Sequence, residues 1–271
     1  ISARKSGTQL GADDGITANL TTSTNLALQI SSNGPGGADM EEAYWQIIEY
    51  QAATVKKVTA TLAATVASTT STISPAISNL AKAIVISNHG QDGDVNLDDL
   101  PRTELTNTTT VTYTRVGTTA AINFVTYVIE FTDATTVTRG TQNFPSTNIT
   151  QNVSITATAN SGVFGSGNFG RQGSTTFAVN DNIGHGWFTY DITSTTNLLI
   201  QRATGTSGGN STANAPWQIV TFEDTGLQQN TFYSRASGAW ETNTNWSFTP
   251  DGSSGAVPTG VYPRRTNNVV I

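Results

Sequence analysis

An all-β fold built from tandem β-sandwich modules is what this chain predicts, and three observations carry that expectation. Threonine supplies 48 of the 271 residues, and β-branched side chains fit a pleated, half-exposed surface. Strong helix formers are scarce, with 12% charged residues and one methionine, while 25 glycines stand among many Asn and Ser that punctuate turns. An apolar run also returns twice after its first appearance, as WQIIEY (Trp45 to Tyr50), YVIEF (Tyr127 to Phe131) and WQIVTF (Trp217 to Phe222). A catalytic motif usually occurs once, whereas a copied structural module leaves this trace.

The segments upstream of these runs align as well. ANLTTSTNLALQI starts at Ala18, TELTNTTTVTYTR at Thr103 and YDITSTTNLLIQR at Tyr190. Each has an apolar residue (Leu20, Leu105, Ile192), a Thr/Ser/Asn stretch, and a second apolar run beginning six residues on at Leu26, Val111 and Leu198. The anchors stand 85 and 87 residues apart, too long for a solenoid rung and suited to an independently folding sandwich, Ig-like or jelly-roll-like. The expected organisation is the C-terminal part of one repeat (1–50), two whole repeats (51–131 and 132–225) and the start of a further β domain (226–271).

In chain order, DMEEAYWQIIEY is the best helix candidate. Its β-branched residues favour a closing strand, with at most Asp39 to Ala43 curling. KKVTATLAATVASTT has helical alanine content, but its Val/Thr alternation predicts strand. Strands are expected near 57–64, 70–73, 82–87, 102–105, 110–115 and 122–131 in the first whole repeat. In the second they are expected near 137–142, 153–159, 175–179, 186–192, 197–201 and 216–222. Short linkers near 51–54 and 132–136 would join rigid beads. The start at Ile1 and the terminal NNVVI, which reads as an unfinished strand, suggest a piece of a longer polypeptide, any targeting signal lying outside it.

The net charge of −6 argues against nucleic acid, which needs a basic stripe. No window approaches a membrane-spanning helix, so no membrane insertion is expected. The absence of cysteine fits a reducing cytoplasm or a bacterial surface protein that avoids thiols; the Thr/Asn/Ser-rich composition favours the exterior.

From about Gln228 the pattern changes to SGAWETNTNWSF, a Gly/Ser loop, and GVYPRRTNNVVI. This G-x-W, N-W-S, P…N-V-x-I arrangement resembles a segment of the very large secreted surface adhesins of gliding and related Bacteroidetes, exported by the type IX system. The upstream modules resemble the β-sandwich repeats of giant bacterial adhesins and are also similar to domains of some phage and virion surface proteins. The resemblance implies an extracellular, cell-surface, non-catalytic role in adhesion and gliding motility. Its partners would be a surface polysaccharide or other cell-surface ligand and neighbouring repeats of the same chain. Thr126, where the other copies have Trp45 and Trp217, departs from the pattern. So does Thr221, where they have Glu49 and Glu130.

The sharpest polar cluster is DGDVNLDD. Asp92, Asp94, Asn96 and Asp98 sit at every second position, a spacing that can fold several oxygens round Ca²⁺, as in an EF-hand loop. Leu97 replaces the glycine of that loop and Thr103 its final glutamate, so a solvated acidic loop is the competing reading. His89 and His185 are single, lie in Gly-flanked loops and have no metal spacing around them. GSGNFG within Gly162 to Ser174 matches G-x-G-x-x-G formally but opens no helix, and reads as a flexible Gly/aromatic loop. Glu49 and Glu130 are copies of one position, which argues for structure over paired-carboxylate catalysis. Trp187, Trp240 and Trp246 are candidates for stacking on sugars, while Trp45 and Trp217 read as core or rim. No nucleophile stands in a strand-turn-helix setting, so no catalytic residue or bound cofactor is expected. The leading expectation is a structural and adhesive segment of a multi-repeat filament or stalk. A virion fibre or decoration subunit, or a carbohydrate-binding part of a secreted enzyme, are the alternatives.

Overall fold

The computed structural model describes residues 2–5, 16–30, 40–92, 100–118, 120–145, 147–165, 188–202, 213–223, 231–253, 255–257 and 268–270. The chain divides into two compact units, Ile1–Phe222 and Glu223–Ile271. The architecture is all-β, as the composition predicts. Among the described residues, no helix is long and apolar enough to cross a membrane.

The first 50 residues supply β1 (Ser2–Lys5), β2 (Ile16–Thr22), β3 (Asn25–Ile30) and β4 (Met40–Tyr44). β1 pairs with β4, and β2 with β3, both antiparallel. The next stretch contributes β5 (Ala53–Leu62), β6 (Ser68–Thr72), β7 (Ala83–Asp92), β8 (Arg102–Asn107), β9 (Thr110–Thr114) and β10 (Ala121–Phe131). They form two three-stranded antiparallel sheets, ordered β5-β10-β7 and β6-β9-β8. Then come β11 (Thr136–Phe144), β12 (Thr150–Ser154), β13 (Ser161–Gly165), β14 (Phe188–Ser194), β15 (Asn197–Arg202) and β16 (Ala213–Thr221). Their sheets, β11-β16-β13 and β12-β15-β14, repeat the same order. In both copies the sixth strand is central in one sheet and the fifth in the other.

Each copy closes its own core. Leu62, Ile73, Val85, Val111, Tyr113, Ile122, Phe124 and Val128 pack together in the first. Phe144, Leu198, Ile200, Ala213, Ala215, Trp217 and Ile219 do so in the second. The closing strands β10 and β16 are flanked on both sides and buried over most of their length, which is why they read as near-continuous apolar runs.

The hairpin shared by all three copies repeats down to its irregularity. The register shifts between Leu20 and Thr22, Leu105 and Asn107, and Ile192 and Ser194. In each, the side chain at the second position accepts a hydrogen bond from the N–H two residues on: Thr24 to Thr22 (3.3 Å), Thr109 to Asn107 (2.8 Å) and Thr196 to Ser194 (3.3 Å). Such side-chain turns are what Thr, Asn and Ser supply, and a bulge fixes the register.

Three expectations are corrected. Met40 to Ala43 of the expected curl is strand instead, since Met40–Tyr44 is held by β1; Asp39 lies outside the described residues. WQIIEY is not a strand here, because 45–50 has no sheet partner among the described residues, and Ile48 is 79% exposed. The start of the expected Gly/aromatic loop is strand β13, since Ser161 to Gly165 pairs with β16 over Thr221 to Trp217.

In the second unit, β17 (Thr231–Ser234) lies between β18 (Trp246–Ser247) and β19 (Asn268–Val270), antiparallel to the first and parallel to the second. Phe232, Trp246 and Val257 are buried together there, with Phe248 and Val269 packed against them.

Candidate functional site

The junctions between successive repeats are the most elaborated polar constellation in the first unit. Three residues of equal rank in the repeat, Tyr50, Phe131 and Phe222, converge. Tyr50 meets Phe131 edge-on at 5.5 Å and Phe222 at 6.2 Å, and Phe131 meets Phe222 at 6.0 Å. Phe131 also joins Ile84, Val137 and Val220 in an apolar cluster shared by the two complete sandwiches. The Tyr50 hydroxyl donates to Asp133 at 2.8 Å, and Asp133 in turn accepts from the Thr135 N–H at 2.9 Å.

Four positions before these aromatics stand Gln46, Tyr127 and Gln218. Gln218 is 2% exposed and faces out of its own sandwich. Its amide accepts from the Val85 N–H and donates to the Val85 carbonyl, each at 2.9 Å. Val85 lies on β7, an edge strand of its sheet. One side chain therefore gives that edge the pair of bonds a further strand would give, closing a surface that could otherwise template pairing. Tyr127 does the equivalent one repeat earlier. Its hydroxyl accepts from the Leu20 N–H at 2.7 Å and donates to the Ala18 carbonyl at 3.3 Å, both on β2. Further bonds surround these two. Lys57 donates to Asn19 (2.9 Å) and the Leu20 carbonyl (3.1 Å), Thr141 donates to Glu104 (2.6 Å), and Arg139 donates to the Leu80 and Ala83 carbonyls. A groove runs beside Gln218, lined by Glu104, Leu105, Arg139, Thr141, Pro216 and Trp217. Rigid beads on linkers are not what the two complete repeats form; they share buried hydrogen bonds and one apolar cluster. Residues 53–54 and 136 of the expected linkers are strand.

Glu130 is the best-satisfied carboxylate. It accepts from the Ser78 N–H and hydroxyl, both 2.5 Å, from the Asn79 N–H at 3.1 Å and from Lys56 at 3.0 Å. Burial alone would raise its pKa; these donors outweigh it and hold the carboxyl at about 2. Glu130 thus ties β10 to the loop before β7. Glu49, its counterpart, belongs to the exposed 45–50 run. At Thr221 the hydroxyl meets Ser161 Oγ at 2.8 Å instead.

The other sequence candidates fall as follows. Asp92 ends β7, opposite Ala121; Asp94, Asn96 and Asp98 lie outside the described residues, as do His185 and Trp187. His89 is in strand β7 and not in a loop, its ring 5.9 Å from Phe124, and burial lowers its pKa to about 4. Trp217 is core, as expected, and 7% exposed, but Trp45 is 54% exposed and off any strand. Trp246 is not a sugar platform: it is buried, donating to the Trp240 carbonyl at 2.8 Å with the two rings 4.8 Å apart. Trp240 keeps an exposed face.

Two functional residues escaped the sequence reading. Arg115 and Arg202 occupy one repeat position, the first just after β9 and the second at the end of β15, and both are buried. Arg115 donates to the Ala63 and Val66 carbonyls (2.8 and 3.2 Å), and Arg202 to those of Pro145 and Asn148 (2.7 and 2.9 Å). Each staples the connection between the first and second strands. The terminal Arg shared by TVTYTR and NLLIQR was the available signal.

No family model, curated protein or solved structure matches this chain.

Proposed function

We propose that this chain is a non-catalytic, load-bearing segment of a long multi-repeat polypeptide at a bacterial cell surface, serving adhesion as part of a filament or stalk. One observation carries the reading: each of the two complete repeats is docked onto the repeat before it through the same position of its closing strand, Tyr127 and then Gln218. A segment whose repeats grip one another transmits force through buried contacts, and repetition multiplies weak surface contacts with a polysaccharide or other cell-surface ligand.

Single-molecule pulling of the full chain tests this. Two unfolding peaks should appear, each releasing about 27–31 nm, the contour of some 80–90 residues at about 3.4 Å each. Featureless extension at low force would sink the load-bearing reading. Light scattering that returned a symmetric trimer would identify a fibre subunit instead.

A further inference from the structure

The groove beside Gln218 has a volume of about 230 Å³. That is below the roughly 300–1,000 Å³ of sites for drug-sized ligands and on the scale of one sugar ring. Arg139 and Thr141 of β11 line it from the second complete repeat, with Gln218 and Pro216 opposite them on β16. Glu104 and Thr106 of β8 line it from the first. Its charges are answered unequally. Glu104 has Arg102 at 2.9 Å and the Thr141 hydroxyl at 2.6 Å. Arg139 has no carboxylate within ion-pair distance among the described residues. Its Nη2 donates to the Leu80 and Ala83 carbonyls, which fixes the plane of the guanidinium, while Nη1 is buried and has no acceptor. A buried cationic donor left unpaired costs free energy that a bound acceptor recovers.

We propose that this groove binds one carboxylated sugar residue, a hexuronate of an acidic polysaccharide, with its carboxylate on Arg139 and its hydroxyls at Glu104 and Thr106. A carboxylate suits the planar fork of a guanidinium. The rest of the groove chooses among sources of that carboxylate. Glu104 only accepts, so it takes donation from a sugar hydroxyl and repels the further carboxylates of an acidic peptide. The Thr106 and Thr141 hydroxyls can exchange hydrogen bonds with the remaining sugar oxygens, and Pro216 offers an apolar wall to the C–H face of the ring. Such a ligand touches both repeats, so its binding also strengthens their junction.

The inference rests on the reading of the chain as a surface segment that meets polysaccharide, and names the sugar. The test titrates the full chain with D-glucuronate, D-glucose and acetate, read by amide NMR shifts. Glucuronate should bind at millimolar concentration and shift the signals of 104–106 and 139–141. Glucose lacks the carboxylate and acetate lacks the ring, and each should bind about tenfold more weakly, as loss of a charge-assisted contact does. Arg139→Gln should weaken glucuronate by a similar factor. Because Arg139 also holds the junction, Thr106→Val is the second variant: it keeps every Arg139 bond and should weaken glucuronate several-fold while leaving acetate unchanged. No shift at these residues, or acetate binding as tightly as glucuronate, overturns the proposal. So does an Asp-rich peptide that displaces the sugar, or native affinity in Thr106→Val. Two pulling peaks without glucuronate binding would remove this inference and leave the load-bearing reading standing; binding with featureless extension would do the reverse.

Discussion

Glu130 and His89 sit on neighbouring strands of one sandwich and both penalise protonation of the fold. The folded pKa of Glu130 is depressed to about 2 from 4.5, and that of His89 to about 4 from 6.5. A depressed value means that the unfolded chain binds the proton first, so stability is present above the unfolded pKa and falls as pH drops. His89 acts between about pH 6.5 and 4, where the cation would lose solvation. Glu130 acts between about 4.5 and 2, where its four hydrogen bonds lose their charged acceptor. Each contribution is on the order of 3 kcal/mol at most. The urea midpoint of the chain should therefore fall steadily from pH 7 to pH 3. His89→Asn should flatten the upper part of that slope and leave the lower part. A midpoint unchanged between pH 7 and 4 in the native chain would contradict the half-buried, neutral imidazole.

Strands compensate one another in pairs, and that compensation decides which parts of the repeat the sequence shows. Thr126 breaks the Trp pattern because Tyr113 fills the space beside it, donating to its hydroxyl at 2.9 Å. In the next repeat Ile200 takes the place of Tyr113, leaving room for Trp217, and Gly140 yields to the indole. The apolar period, the hairpins and the all-β class were legible because each rests on local chemistry: alternation, turn side chains, a closing apolar run. Strand β13 was not, since SGVFG has the composition of a loop and becomes strand only through pairing with β16. The failure of WQIIEY to form a strand was also hidden, because a local apolar pattern does not reveal whether flanking strands exist. Gly140→Ala follows from the same packing. The new Cβ would stand 2.6 Å from Trp217, a ring held in the core, so the indole or β11 must shift. Overpacking of this kind costs about 1–3 kcal/mol, seen as a lower calorimetric midpoint for the second complete repeat. Trp217→Leu in the same chain should recover part of it, and an unchanged midpoint for Gly140→Ala would refute the contact.

At the scale of the molecule, cooperation between the sandwiches hangs on Gln218. Its amide satisfies both polar groups of Val85 on an edge strand that belongs to the other repeat. Removing it leaves a buried N–H and C=O without that partner, a loss of about 2 kcal/mol. The loss falls on the junction and on neither core, because the clusters centred on Phe124 and on Trp217 are separate. The native first unit should thus melt with its two complete repeats coupled. In Gln218→Ala the calorimetric transition should broaden or split, with each repeat keeping its own enthalpy. Gln218→Glu should be more severe, since a carboxylate has no donor for the Val85 carbonyl and would bury a charge against it. A Gln218→Ala chain that melts in one sharp transition at the native midpoint would show that the shared aromatic cluster of Tyr50, Phe131 and Phe222 couples the repeats on its own, with the hydrogen-bonded edge contributing only register.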